Sequence, residues 1–560
     1  MAVNKHILPP LQYITKESNI FVLFLSTFLV AILLLGYIFS GGFNFFNFQD
    51  SLEGWFTIIG GDPEKLSGEG QTLFYLTDQK GNQTSLYFSD SFLMSRVYES
   101  YAKPVILLGN WQSSSPDQPT SFQVSEIKPD PNLDDLISNQ FPQVTGSQPW
   151  ATLLCKFKDY SSEPKTPSYF QNMYASTYPG LDHYWKEQSY NLANVLGSTA
   201  VSHWYTLPQN RSYYVYDMNG DGQPELNFTR ASNDCTAVAD PDIYYPTYVG
   251  INMMFNYDLD GYAWGGSHFM TLDGVSRVWY ATWEPPWGYQ SITVIEHEMG
   301  HGFGLPHSSG MYGQTYDNQW DVMSDTWTNC GNSTDPTYGC LGQHTISYHK
   351  DLEGWIASPQ KYIVNVGDQA TLTLEQLALP ETANYLMVKI PIGGSSTHFY
   401  TVEVRRKGGY DVKLPMQPAE GAVIIHEVDT TRDRRAQVVD IDGNGNTGDD
   451  GAKWVVGETF TDSTHAIWVS VDSFTATGFV VTINNNYTGS TKTFTPTPTT
   501  TLTRTATPTS TKTKTSTNTP TSTQTKTTTF TFTSTRTPTR TLTPTPWAAP
   551  LIFFLPVIFK

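Results

Sequence analysis

The eleven residues HEMGHGFGLPH, from His297 to His307, decide how this chain is read. With the preceding ITVIE they predict a helix that ends near Gly304. Four positions apart on that helix, His297 and His301 project from one face, one turn apart. Two neutral imidazole nitrogens can then meet one zinc ion, while Glu298 reaches a water on the metal but not the metal itself. Gly304 permits a sharp turn with positive φ, so the chain folds back and offers His307 as a third ligand. Three protein ligands leave one coordination position for water, the arrangement of catalytic rather than structural zinc. Zinc lowers the pKa of such a water from about 15.7 toward about 7, with Glu298 as general base and then general acid. A bare H-E-x-x-H arises by chance, whereas the extended five-position pattern seldom does, which sets an amphipathic helix with incidental histidines well behind the metal reading.

Sixteen residues beyond His307, WDVMSD carries Met323. Alone, a methionine there reads as core packing; after the histidine pattern it reads as the floor of a metal site. Together these stretches resemble the metzincin zinc peptidases, and among them the gametolysin-like enzymes and the related immune inhibitor A-like peptidases. The resemblance runs from about residue 150 to 480, through LDHYWKEQSYN before the histidines and HKDLEGWI, FYTVEVRR, GAVIIHEVD and VGETFTD after them. It implies a secreted or surface zinc endopeptidase acting on proteins. It also implies His297, His301 and His307 as ligands, Glu298 as catalytic acid/base and Met323 as the turn methionine. His307 stands where the immune inhibitor group often has an Asp, which leans the match toward the gametolysin-like enzymes. Some metzincins place a tyrosine ligand two residues after the methionine; here that position is Asp325.

Outward from the motif, the 560 residues exceed what one core supports. Residues 1–45 read as a signal anchor, since Ile20 to Phe39 is uncharged and long enough to cross a bilayer. Lys5 and Lys16 before it, and Asp50 and Glu53 after it, put the body outside. The long apolar core favours an uncleaved transmembrane helix over secretion after cleavage. Residues 46–140 read as a small β domain, with LFYLTDQKGNQTSLYF, PVILLGNWQ and SFQVSEI as strands. Residues 146–358 mix strands and helices and predict an α+β peptidase domain. Seven short runs across 359–487 predict a C-terminal β-sandwich. The Thr/Ser/Pro-rich stretch 488–546 cannot bury a core and is expected to be a disordered stalk for cell-surface or wall attachment. The apolar tail 547–560 is too short to span a bilayer. The expected fold is multidomain: an α+β metzincin-like zinc peptidase domain, flanking all-β domains, an N-terminal transmembrane helix and a Thr/Pro-rich stalk.

Four cysteines suit an oxidising compartment. Cys330 and Cys340 bracket a short polar loop that a disulfide would close, and Cys155–Cys235 follows by elimination. DMNGDGQPE places Asp217, Asn219 and Asp221 at alternating positions; it reads equally as a Ca2+ loop or a plain polar turn, because Phe228 stands where an EF-hand needs Glu. DIDGNGNTGDD, from Asp440 to Asp450, reads the same way, with a solvated loop ahead.

From Ser490 onward the chain has eight Lys or Arg and no acid, leaving 25 basic and 52 acidic residues before it. A body so acidic repels phosphate, which argues against nucleic acid as a partner. The function expected is extracellular, zinc-dependent hydrolysis of a protein or peptide substrate. A surface adhesin using a peptidase-like scaffold and a zinc hydrolase on a non-peptide substrate are the alternatives, and the presence of Glu298 favours an enzyme.

Overall fold

DSLEGWFTIIGGDP folds into a single fourteen-residue strand, β1 (Asp50–Pro63), and this strand joins parts of the chain that the sequence reads as separate. The computed structural model describes residues 49–64, 68–112, 121–131, 143–325, 334–414, 416 and 421–486. β1 pairs antiparallel with β2 (Gln71–Thr77), which continues to β3 (Gln83–Phe88). Next come β4 (Pro104–Gln112) and β5 (Ser121–Pro129), with β5 bridging β3 and β4. β4 then returns to β1 across Asp50–Trp55, closing a five-stranded barrel. Phe56 and Ile58, two apart on β1, point into it with Leu76, Leu107, Phe122 and Val124, as the period of a strand requires.

The last residues of β1 leave the barrel and extend a second body of strands. β6 (Trp150–Lys156), β7 (Gly250–Phe255) and β9 (Val275–Glu284) run parallel, and β8 (Tyr262–Leu272) pairs antiparallel with β9. WATLLCK and GINMMF are apolar almost throughout because both faces of a central parallel strand are covered. β1 adds to the free side of β8, with Gly60 opposite Gly265 and Asp62 opposite Ala263. Helices pack on this sheet: α1 (Leu181–Gln188), α2 (Phe228–Ala239) and α3 (Ile292–Phe303). A disulfide between Cys155 on β6 and Cys235 on α2 ties helix to sheet. All twelve residues of α3 are buried, against β8 and β9.

The fold class expected from sequence does not hold. Among the described residues strand outweighs helix, at 38% against 20%, and the α+β domain is not flanked by an independent β domain: an unbroken eleven-stranded sheet runs through both. The reason is β1, whose two ends have different partners, a choice invisible in its own residues. The expected membrane-crossing helix finds no support either. No described helix is long and apolar enough to cross a membrane, and Ile20 to Phe39 lies outside the described residues, as do 488–546 and 547–560.

Beyond α4 (Ser347–Leu352), two sheets face each other. The first contains β10 (Lys361–Ile363), β12 (Met387–Pro391), β13 (His398–Arg405), β14 (Ala422–Asp429) and β15 (Ala436–Val438). The second contains β11 (Gln369–Glu375), β16 (Thr459–Asp462), β17 (Ile467–Phe474) and β18 (Gly478–Asn485). Val402, Val404, Val423 and Ile425 of the first meet Val469, Val471, Val481 and Ile483 of the second. The alternate residues of β14, Ala422, Ile424 and Val428, face the other way and pack on Trp320, Ile346 and Tyr348. GAVIIHEV is apolar without alternation because both its faces are buried. Ser309–Gly310, just past His307, joins this sheet beside β15, so the C-terminal body covers the segment that carries the third histidine.

Candidate metal centre

α3 ends as its sequence predicts. Gly304 takes φ 101°, the left-handed cap, and the Leu305 N–H donates to the Gly300 carbonyl at 3.0 Å. The chain then reverses and brings His307 back over the helix. His301 Nε2 lies 3.1 Å from His297 Nε2 and 3.1 Å from His307 Nε2. The other ring nitrogens are committed: His297 Nδ1–H donates to Val322 O at 2.6 Å, and His301 Nδ1–H to Leu305 O at 2.9 Å. These bonds fix the tautomer and leave both Nε2 lone pairs facing the centre.

A fourth donor comes from the far end of the chain. Asp62 Oδ2 is 3.0 Å from His297 Nε2 and 3.5 Å from His301 Nε2, and its Oδ1 is 3.1 Å from His307 Nε2. Four donors about 2.0–2.1 Å from a tetrahedral zinc lie roughly 3.3 Å from one another. The observed 3.0–3.5 Å spacings match that figure. The buried group Asp62, His297, His301 and His307 can therefore hold a metal ion.

The four groups are electrostatically coupled. Burial opposes the Asp62 charge, but the imidazoles of His297 and His307 outweigh it and hold the carboxyl well below its usual range. Burial lowers His297, and Asp62 more than reverses this, raising it. His301 is pushed down to about 3 by burial and by His307, so it stays a neutral donor. Glu298 is fully buried and neither of its carboxylate oxygens meets a hydrogen-bond donor among the described residues. Burial first, then the Asp62 charge, raises it well above the usual carboxylate range. Glu284, at the end of β9, is raised for the same two reasons.

Met323 lies under this centre. A Cβ on Gly300 would fall 2.5 Å from its sulfur, so the glycine between the two helical histidines is where the methionine fits. Asp321 builds the turn: its Oδ1 accepts the Met323 N–H at 3.1 Å and the Thr345 hydroxyl at 2.7 Å. Its Oδ2 accepts Ser308 at 2.7 Å and faces His349 Nδ1 at 2.9 Å. Burial raises Asp321, but His349 and these donors prevail and lower it.

The structure thus brings His297, His301, His307, Glu298 and Met323 together, and adds three residues that sequence reasoning missed. Asp62, Tyr316 and Glu284 sit in unremarkable contexts; IIGGDP has only an acid after two glycines to mark it. Tyr316 Oη donates to Asp62 Oδ1 at 2.6 Å. Elsewhere, Asp217 and Asp221 converge with Glu225, and the Asn219 side-chain amide donates to Asp221 Oδ2 at 3.2 Å. The Asn219 Oδ1 accepts the Asp221 N–H, and Asp217 accepts from Gly220 and Gly222, the bonds of an exposed polar turn. Asp440, Asp442 and Asp449 form a similar group. Cys340 is disulfide-bonded; Cys330 lies outside the described residues. No protein-family model matches the chain, and no curated protein is significantly similar to it.

Proposed function

We propose that the chain is a zinc-dependent endopeptidase of metzincin type, working outside the cytoplasm on proteins or peptides. The observation that carries this reading is the pairing of a tetrahedral donor set with Glu298, a buried carboxylate beside it that meets no donor. A closed structural metal site has no use for such a group, which raises the energy of the fold unless something there needs it. His297, His301 and His307 would hold the zinc. Bound there, the ion would supply Lewis-acid polarisation of a peptide carbonyl and acidify water. Glu298 takes the proton of the attacking water and returns it to the departing amine. Met323 and the Asp321 turn fix the floor on which His297 and His301 rest. The Cys155–Cys235 bond supports an oxidising compartment.

One observation favours a second reading. Asp62 completes the coordination set, and four protein donors are the mark of structural zinc. The test therefore removes it. Full-length Asp62→Ala, loaded with zinc, is incubated with an unfolded, fluorescence-quenched protein, with Glu298 intact or replaced by Gln. Cleavage is expected, with a loss of about 10²–10⁴-fold in Glu298→Gln and full loss on chelation. Cleavage that survives the chelator or the Gln substitution overturns the mechanism. Retained zinc with no cleavage favours the structural-metal reading.

A further inference from the structure

The loop after β15, DIDGNGNTGDDG from Asp440 to Gly451, carries side-chain oxygens at alternate positions: Asp440, Asp442, Asn444 and Asn446. One carboxylate oxygen from each of Asp440, Asp442 and Asp449 lies within 4.8 Å of the other two. Oxygens about 2.3–2.6 Å from one calcium-sized ion stand no more than roughly 5 Å apart, so the group has the span of a cation site.

An acidic loop alone means little, as Asp217 and Asp221 show. Both are exposed, and all four of their carboxylate oxygens already accept hydrogen bonds, from Gly220, Gly222, Gln223 and Asn219. Asp440 differs. It is only 3% exposed. Its Oδ2 accepts the Tyr312 hydroxyl, but its Oδ1 meets no donor among the described residues. That bare oxygen is turned into the loop. A Cβ on Gly451 would fall 2.3 Å from it and 2.8 Å from Asp442 Oδ1, so two carboxylates converge over a position that glycine leaves open. A buried anionic oxygen without a donor, facing further carboxylates, destabilises the fold unless a positive charge sits among them. Lys453 puts its ammonium on Asp450, at 3.2 Å, a residue outside the group. Three anionic oxygen donors suit a hard cation of calcium type rather than the softer metals that imidazole takes.

The loop also grips the segment between His307 and Met323. Thr447 Oγ1 donates to the Asp317 carbonyl, and Trp320 Nε1 donates to the Thr447 carbonyl at 2.9 Å. Tyr312, bonded to Asp440, is the third residue of that segment held by the loop.

We propose that Asp440, Asp442 and Asp449 form a calcium-type cation site, separate from the histidine centre, and that the bound ion locks this loop onto the segment between His307 and Met323. The inference does not depend on the peptidase reading.

Terbium tests it, because Tb3+ occupies calcium's oxygen sites and emits when a neighbouring tyrosine is excited. Tyr312 is bonded to one of the ligands. Full-length, zinc-loaded protein is titrated with Tb3+, then with Ca2+ as competitor. The wild type is expected to bind terbium saturably and to release it to calcium. Asp442 is exposed and Asp449 half-buried, so Asp442→Asn and Asp449→Asn leave the core intact. Each should bind Tb3+ about tenfold more weakly or worse, since affinity follows ligand charge, while Asp217→Asn keeps the site. Calcium should raise the melting temperature of the wild type and of Asp217→Asn, but not of the other two variants. A wild type without saturable, calcium-competed emission overturns the proposal. So does emission that survives both Asp442→Asn and Asp449→Asn, or that disappears only in Asp217→Asn.

Discussion

Cutting the Cys155–Cys235 bond should cost the fold about 4.5 kcal/mol, and the cost should be strongly non-additive. The two residues are 80 apart in sequence and both fully buried. Between them run α1, the DMNGDGQPE turn and most of α2. With about 80 residues in the closed loop, the chain-entropy relation gives about 15 cal/mol/K, or about 4.5 kcal/mol at 25 °C. Each lost sulfur adds roughly 1 kcal/mol of apolar burial. Removing either cysteine opens the whole loop, so Cys155→Ala alone should lose about 5.5 kcal/mol, and Cys235→Ala in that background only about 1 kcal/mol more. The assay is urea denaturation of the full chain followed by tryptophan fluorescence, with linear extrapolation for wild type, both single variants and the double. A double variant that loses the sum of the singles, or less than about 2 kcal/mol, refutes the loop argument. That result would mean that β6 and α2 are held by packing, with the bond contributing little.

Met323→Ala should lower stability by about 2–5 kcal/mol, and because the sulfur supports Gly300 it should also weaken metal retention; thermal melts with and without zinc, and competition with a chromophoric chelator, read the two effects. Trp320 is fully buried between the Met323 segment and the C-terminal sheet, so Trp320→Ala should cost about 3–5 kcal/mol and melt the two bodies apart, seen as a split calorimetric transition. Glu353 is raised by burial from 4.5 to about 8, against one hydrogen bond from the Val144 backbone. The native state keeps its proton above the unfolded pKa, so stability falls as pH rises from about 4.5 to about 8 and then levels. Glu353→Gln should remove that slope and exceed wild type by a few kcal/mol, roughly 1.4 per pH unit across the window; melting temperatures at pH 5 and pH 8 that shift alike in both proteins would contradict it.

What the sequence by itself determined is the part of the site governed by local chemistry. The i, i+4 spacing of His297 and His301, the left-handed turn at Gly304 and the return of His307 all lie within eleven residues, so helix geometry and one glycine suffice to place them. The strand runs of β2 to β5 were legible for the same reason, since alternation and apolar stretches report burial directly. Tertiary structure alone decided the rest. Asp62 meets His307 across 245 residues, and nothing in IIGGDP says which sheet edge it will join. A strand's residues declare that it will pair; they do not declare with what. Because β1 pairs with the barrel at one end and with β8 at the other, two expected domains became one sheet, and a centre expected to have an open corner is closed by a carboxylate.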